Sequence, residues 1–459
     1  MPEAAAEAST GTRQKRLILL LDGTWNDWEA SDDDTNIVRL EDRIIEFLKP
    51  PKGVPIPASS KAEGAAMATE QVSAFRSANR DNYVFYQRGV GTGFNDKLRG
   101  GIFGEGLSTN IRRAYKFLSF NYAPGDEVFV FGFSRGAYTA RSVVGYIAAA
   151  GLLKREACSA ANEERAWNFY RTPPADRMPA DWVDLTDYVH KREDFRINLI
   201  GVFDTVGALG VPIGWFDIEN RQKFSFHDVN LSSITKVNLH ALAIDEQRKP
   251  FSASIWRRPR YKQYDTKTEQ VWFPGVHADI GGGYYFAATR NDRATLDDIT
   301  LDWMILRVKR HYSDFPIKCG NPLDPPAHSA AEQHNSRQRQ YKLFPRAYRS
   351  MANTPVKNLG FWQTAVSYDR RDGPIEENVH ISALMRLGQL SGLGSTIYAP
   401  KNLLLVLPLI EETYRNPDSY PKVFVIDWNG ERIDSADHPS ASAMLRLIVE
   451  AKTKLVIAS

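Results

Sequence analysis

A serine, an aspartate and a histidine each follow an apolar run in this chain, residue types that together could serve nucleophilic chemistry. Residues 128–141 read VFVFGFSRGAYTAR and contain Gly132-Phe133-Ser134-Arg135-Gly136. An apolar run precedes this G-x-S-x-G and a small-residue helix pattern follows, which is the context of a nucleophile elbow. The requirement is steric. The serine must sit on a sharp, strained turn, and only small residues two before and two after leave room for it. The helix N-terminus behind the turn favours negative charge. The rival reading, a chance Gly-Ser-Gly in a strand-to-helix turn, does not account for this placement. A serine hydroxyl is a weak nucleophile and needs a base, itself oriented by an acid. In α/β-hydrolase chain order the acid and then the histidine follow the serine. Asp204 ends the apolar run in LIGVFDTVGALG, and His277 directly follows another in VWFPGVHADIGGGY. They are the expected acid and base. Asp245, within IDEQR, and Asp279, two residues after His277, are the rival acids. Asp245 is expected on a helix in a salt bridge, Asp279 as a brace for the loop, and His240 as a structural helix residue.

The elements that must position these groups follow from hydrophobic patterning. Short apolar runs at 16–22, 82–88, 126–133, 196–204 and 270–276 read as strands. Helical patterns occupy 36–48 (Ile37, Leu40, Ile44 and Leu48 on one face), 107–121, 137–151, 235–247 and 295–312. Alternation of buried strands with helices argues for an α/β fold with a mainly parallel sheet covered on both faces. On this count the strand carrying Asp204 is the only one between those of Ser134 and His277. Residues 1–14 read as a disordered tail and 15–402 as the catalytic domain. Insertions at 49–82 and 154–193 are candidate lids, with Trp167, Phe169 and Trp182 offering an apolar surface. Residues 319–355 read as loop, and 400–415 as either helix or strand. Residues 403–459 read as an extension packed on the domain. Within it, Asn429-Gly430 suits a type I′ hairpin.

Two glycine-bearing segments suggest other chemistries and fail their tests. LILLLDGTWN, residues 17–26, resembles the D-x-D-G-T strand of phosphoryl-transfer enzymes, but residue 20 is Leu, so that nucleophile is missing. The segment suits an oxyanion hole better. A backbone N–H in an early strand–helix loop pairs there with the N–H just after the nucleophile. Thr24 or Gly23 is the expected partner of the Arg135 N–H, with Asp22 bracing the loop. In the glycine-rich stretch 89–106, Phe94 stands where a dinucleotide fingerprint needs its third glycine, and no Gly-Lys-Ser/Thr follows. No nucleotide is expected.

Composition narrows the classes further. A net charge of +3 without a basic block argues against nucleic acid. Cys158 and Cys319 make neither a disulfide framework nor a metal cluster, so no metal and no cofactor are expected. No apolar run approaches the ~20 residues of a spanning helix, and the N-terminus lacks the order of a secretory signal. The chain is therefore expected to be cytoplasmic as synthesised, with any lipid met by peripheral membrane contact.

LDGTWN, GFSRGAYTAR, GVFDTVG, HALAIDEQR and VWFPGVHADIGGGY occur in this order. Together they resemble the catalytic domain of the first family of type VI secretion phospholipase effectors, from about Arg16 to about Asn402. NVHISALMRL and YAPKNL look like its closing segment. The resemblance implies a Ser-His-Asp hydrolase with its triad at Ser134, Asp204 and His277. It also implies a lipid or other ester as substrate, and export by a specialised secretion system is compatible with it. A carboxylesterase or thioesterase on a soluble substrate is the first alternative, and an inert scaffold the second.

Overall fold

The computed structural model describes residues 13–23, 33–49, 70–76, 80–89, 100–206, 231–257, 266–286, 293–338, 342, 346–352, 354, 357–358, 361–362, 375, 377–390 and 396–458. Thirteen strands are described. In chain order they are β1 (Lys15–Leu21), β2 (Asp33–Thr35), β3 (Glu70–Arg76), β4 (Asp81–Gln87), β5 (Glu127–Phe133), β6 (Ile197–Phe203) and β7 (Thr235–Ala243). Then come β8 (Lys267–Phe273), β9 (Gly282–Phe286), β10 (Lys357–Asn358), β11 (Phe361–Trp362), β12 (Glu377–His380) and β13 (Val425–Ile426). Nine of them form one sheet in the order β13-β12-β8-β7-β6-β5-β1-β4-β3. All its pairings are parallel except β3 against β4. The strand order reverses between β1 and β5. Open α/β sheets bind ligands beyond the carboxyl ends of their strands at such a switch point.

Side-chain alternation explains why the sheet is covered on both faces. Leu17, Leu19 and Leu21 of β1, with Val128 and Val130 of β5, join one core. Helices Gly100–Asn121, Arg135–Ala150 and Ala160–Arg171 lie on that side. Ile18 and Leu20, with Phe129, Phe131 and Phe133, join the opposite core under helices Asn36–Leu48 and Leu296–His311. Each of these last two helices has a residue-specific start. The Thr35 hydroxyl accepts the Val38 N–H at 3.1 Å. Thr295 and Asp298 form a capping box. A third core joins β12 and β13 to helices Ile381–Arg386, Lys401–Arg415 and His438–Ala458. No helix among the described residues is long and apolar enough to cross a membrane.

Several expectations need correction. Residues 235–243 are a strand, not a helix. All but one of the nine residues of β7 are buried, and a short run buried on both faces carries no periodicity that separates strand from helix. Two strands, β6 and β7, therefore separate those of Ser134 and His277. The end of the 49–82 insertion is β3, the edge strand of the main sheet; residues 50–69 and 77–79 lie outside the described residues. The aromatics expected to offer an apolar surface in 154–193 are partly drawn into the adjoining core, with Phe169 and Trp182 half-buried against it. Trp167 is buried against Tyr146, and Phe169 packs on Trp182. Residues 401–415 are helical. Asn429-Gly430 does not form a type I′ turn, because only Gly430 has positive φ, at 74°. Its N–H donates to the Asp427 carbonyl at 3.0 Å, and the Asp427 carboxylate accepts the N–H groups of Asn429 and Glu431. That is a type I turn followed by a left-handed glycine.

Candidate active site

The loops after β1, β5, β6 and β8 converge at the switch point. Ser134 follows β5 directly, at φ 57° and ψ −120°. This left-handed backbone is costly for a residue with a side chain, about 1–3 kcal/mol, and its neighbours explain how it is enforced. A Cβ on Gly132 would lie 2.6 Å from the Gly136 carbonyl, and one on Gly136 would lie 2.1 Å from the Leu21 carbonyl. The elbow can thus wedge between β5, its helix and the end of β1 only if both positions are glycine. Ser134 starts helix Arg135–Ala150 without capping it. Its hydroxyl turns instead to His277, with Oγ 2.8 Å from Nε2.

His277 opens the short helix His277–Gly281 at the end of β8. Its other ring nitrogen, Nδ1, lies 2.6 Å from Asp204 Oδ2. An ionised carboxylate can only accept, so Nδ1 carries the proton and Nε2 faces Ser134 with its lone pair. The ring sits between those of Phe133 and Phe251, at centroid distances of 4.8 and 5.0 Å. Burial pushes the imidazole below its ordinary range, against the opposing pull of Asp204. The free base therefore predominates near neutrality.

Asp204 follows β6 and is fully buried, at φ 40°. It and Ser134 are two of the three non-glycine residues with positive φ among those described. Oδ1 accepts the Ala243 N–H at 2.9 Å. Arg349 grips both carboxylate oxygens, Nη1 to Oδ1 at 2.5 Å and Nη2 to Oδ2 at 2.9 Å. Burial alone would raise the carboxyl. The charge of Arg349 and the hydrogen bonds from His277 and Arg349 outweigh it and hold Asp204 well below the usual carboxylate range. Nothing in the sequence marks Arg349, neither periodicity nor motif. It lies in a loop 145 residues from Asp204.

The rival acids do other work. Asp245 lies in the loop after β7, not on a helix, and makes hydrogen bonds rather than a salt bridge. Its Oδ2 accepts the Gly275 N–H at 2.6 Å and the Tyr398 hydroxyl at 3.0 Å. Burial raises it to about 7, against those two bonds. Glu246 beside it accepts the His277 N–H at 3.3 Å and pairs with Arg248. The AIDEQR segment thus fixes the backbone that carries His277. Asp279 accepts the Val276 N–H at 3.0 Å and meets His334 Nδ1 at 2.6 Å. Of the three carboxylates, Asp204 alone touches the His277 ring. His240 lies on β7, fully buried, and its Nε2 accepts the Thr205 N–H at 3.2 Å beside Asp204. Burial lowers it to about 3.

Because ionised Asp245 is favoured less in the folded chain than in the unfolded one, its cost to stability grows as pH rises from about 4 to about 7. Asp245→Asn is expected to relieve that cost. The variant's Tm relative to wild type is then most favourable at pH 8 and declines towards pH 5, as paired thermal melts will read. A difference independent of pH would contradict this environment for Asp245.

At the end of β1, Asp22 braces three elements. Its oxygens accept the Gly23 N–H at 2.7 Å, the Thr35 hydroxyl at 2.9 Å and the Tyr86 hydroxyl at 2.9 Å. Burial raises its carboxyl to about 6 despite these bonds. The Gly23 N–H is thus engaged by Asp22, and Thr24 lies outside the described residues. The N–H of Arg135 stands at the helix N-terminus directly after Ser134. Among the described residues, no group of three or more His, Cys, Asp or Glu side chains is arranged to hold a metal ion.

A mainly parallel sheet covered on both faces, with a serine elbow, a histidine and a carboxylate at its strand ends, defines the α/β-hydrolase class of fold. Residues 15–307, nearly two-thirds of the chain, match the family described as T6SS, phospholipase effector Tle1-like, catalytic domain, and the chain belongs to that family. An uncharacterized protein of Saccharomyces cerevisiae is 27% identical over an alignment of 193 residues, which covers 37% of this chain and 27% of the yeast protein. The match thus spans about a quarter of that relative's length. Among solved structures, an uncharacterized protein from Pseudomonas aeruginosa aligns at 18% identity and a TM-score of 0.36, covering 71% of this chain and 48% of its own. The Tle1 effector bound to the VgrG spike of the type 6 secretion system aligns at 18% identity and a TM-score of 0.30, covering 60% and 52%.

Proposed function

We propose that this chain is a serine hydrolase that cleaves a carboxylic ester of a phospholipid or other acyl lipid. The observation that carries the reading is the unbroken hydrogen-bonded chain Asp204–His277–Ser134, ending on a serine held at positive φ. In this mechanism the Ser134 oxygen attacks the carbonyl carbon while His277 Nε2 takes the hydroxyl proton. Asp204 holds the tautomer and stabilises the imidazolium. The Arg135 N–H donates to the developing oxyanion. His277 returns the proton to the departing alcohol and leaves an acyl-enzyme. Water, deprotonated by the same imidazole, attacks that ester and frees the acid and Ser134.

The lipid half of the proposal rests on family membership, since the family's description is that of a phospholipase effector. The substrate would be met at a membrane surface by peripheral contact. Liposomes of defined headgroup and diacylglycerol emulsions, with free fatty acid as the readout, test it. Release from at least one phospholipid is expected, abolished in Ser134→Ala. Cleavage of p-nitrophenyl acetate with no release from any phospholipid or acylglycerol would replace the lipid substrate with a soluble ester.

A further inference from the structure

The match to the family ends at residue 307, yet the group with the tightest hold on Asp204 comes later in the chain. Arg349 arrives on residues 346–352, a segment without helix or strand pinned on both sides of the arginine. The Ala347 N–H donates to the Gln247 carbonyl at 2.9 Å. Met351 is buried in the third core. The Ala352 N–H donates to Glu377 Oε2 at 3.1 Å, which also accepts the indole N–H of Trp272 at 2.6 Å. Ala352 is the third non-glycine residue with positive φ, at 47°, so the segment accepts backbone strain to turn where it does. Between these anchors Arg349 is buried and spends both terminal nitrogens on Asp204. Nη1 also reaches the Ala243 carbonyl at 3.0 Å, and Nη2 the Phe251 carbonyl at 2.5 Å.

We propose that Arg349 is a positioning residue that fixes the Asp204 carboxylate for His277 and sets the acidic limit of the enzyme's working pH. The inference rests on the serine-hydrolase reading above. A planar guanidinium bonded to both oxygens fixes the plane of the carboxylate as well as its place. It also balances the carboxylate's charge, so Asp204 stays ionised without drawing a proton strongly onto His277. The other charged groups around the pair come from four elements. Glu246 and Arg248, after β7, face His277 but are bonded to each other. His240 of β7 faces Asp204 and is uncharged, and Arg141 of helix Arg135–Ala150 faces His240. His277 and Asp279 share the short helix His277–Gly281, but Asp279 is committed to His334. None of these replaces a cation bonded to Asp204.

Without Arg349, Asp204 retains only the Ala243 N–H and His277 as donors among these contacts. Two consequences act in the same direction. The uncompensated carboxylate favours protonated His277, and the desolvated carboxyl itself rises and shares His277's proton. Either one moves the acidic limb of activity to higher pH.

The test is the rate of fluorophosphonate labelling of the full chain between pH 4.5 and 9, with the His277 imidazole titrated separately by NMR. Wild type is expected to show its limb below the ordinary imidazole range. Arg349→Gln should move it up by about one pH unit or more. Arg349→Lys keeps the charge but loses the two-point grip, so it should lower the rate and leave the limb near wild type. A folded Arg349→Gln with the wild-type limb and His277 titration would overturn the inference, as would a limb moved equally far by Arg349→Lys. Should Arg349→Gln fail to fold, the Lys variant decides alone, because a displaced limb there contradicts the charge argument. Absence of labelling at Ser134 in wild type would instead sink the nucleophile assignment, while the His277 titration still decides the part played by Arg349.

Discussion

Ser134→Ala is expected to lower kcat on any ester by roughly 10^4- to 10^6-fold, with KM little changed and Tm unchanged. The hydroxyl makes one described side-chain contact, to His277, and removing one oxygen leaves the glycine-packed elbow intact. His277, Asp204 and Arg349 remain in place, so what is lost is the bond-forming atom. The residual rate reports what the oxyanion donors and substrate binding supply without the nucleophile. Steady-state kinetics with p-nitrophenyl esters, alongside thermal melts, check both halves. A variant retaining more than about a tenth of wild-type kcat would show that the attacking group is not Ser134.

Asp204→Asn is expected to be nearly as damaging to catalysis and, unlike Ser134→Ala, damaging to the fold. Each carboxylate oxygen serves two donors. Oδ1 takes Arg349 Nη1 and the Ala243 N–H, and Oδ2 takes Arg349 Nη2 and His277 Nδ1. An amide can offer an oxygen to only one of these pairs. With the NH2 towards His277, the imidazole is forced into the tautomer that cannot accept the Ser134 proton. With the NH2 towards Ala243, two N–H groups face it. The expected loss in kcat is about 10^4-fold. Stability is expected to fall by about 3–5 kcal/mol, because Arg349 is left as an uncompensated buried charge. Kinetics and chemical denaturation of the same preparation read the two effects. Full activity in the Asn variant would transfer the orienting role elsewhere.

How much of this was legible in the chain differs from residue to residue. Ser134 was legible because its conformation makes demands on neighbours close in sequence. Gly132 and Gly136 are there because backbone carbonyls occupy the space a Cβ would need. Asp204 and His277 were legible as polar residues ending apolar runs, since in a parallel sheet the carboxyl ends of strands face the site. Asp22 was legible as a brace, although its partners Thr35 and Tyr86 come from separate elements. Arg349 was not legible, because its role arises from tertiary folding of an irregular segment onto the end of β6. The strand β7 was misread for a different reason. Burial on both faces erases the alternation that identifies a strand at a sheet surface. The additional strand leaves Ser134 and His277 at the ends of β5 and β8, because each depends on its own strand end. Residues 24–32 and 207–230, which adjoin the site in sequence, lie outside the described residues.

The central claim is that Ser134 is a nucleophile activated by His277. Its most direct test is peptide mapping by mass spectrometry after treatment with a fluorophosphonate probe. One stoichiometric adduct is expected on the peptide carrying Ser134, absent from Ser134→Ala and slowed by orders of magnitude in His277→Ala. An adduct on another residue, or equal labelling of wild type and Ser134→Ala, would contradict it.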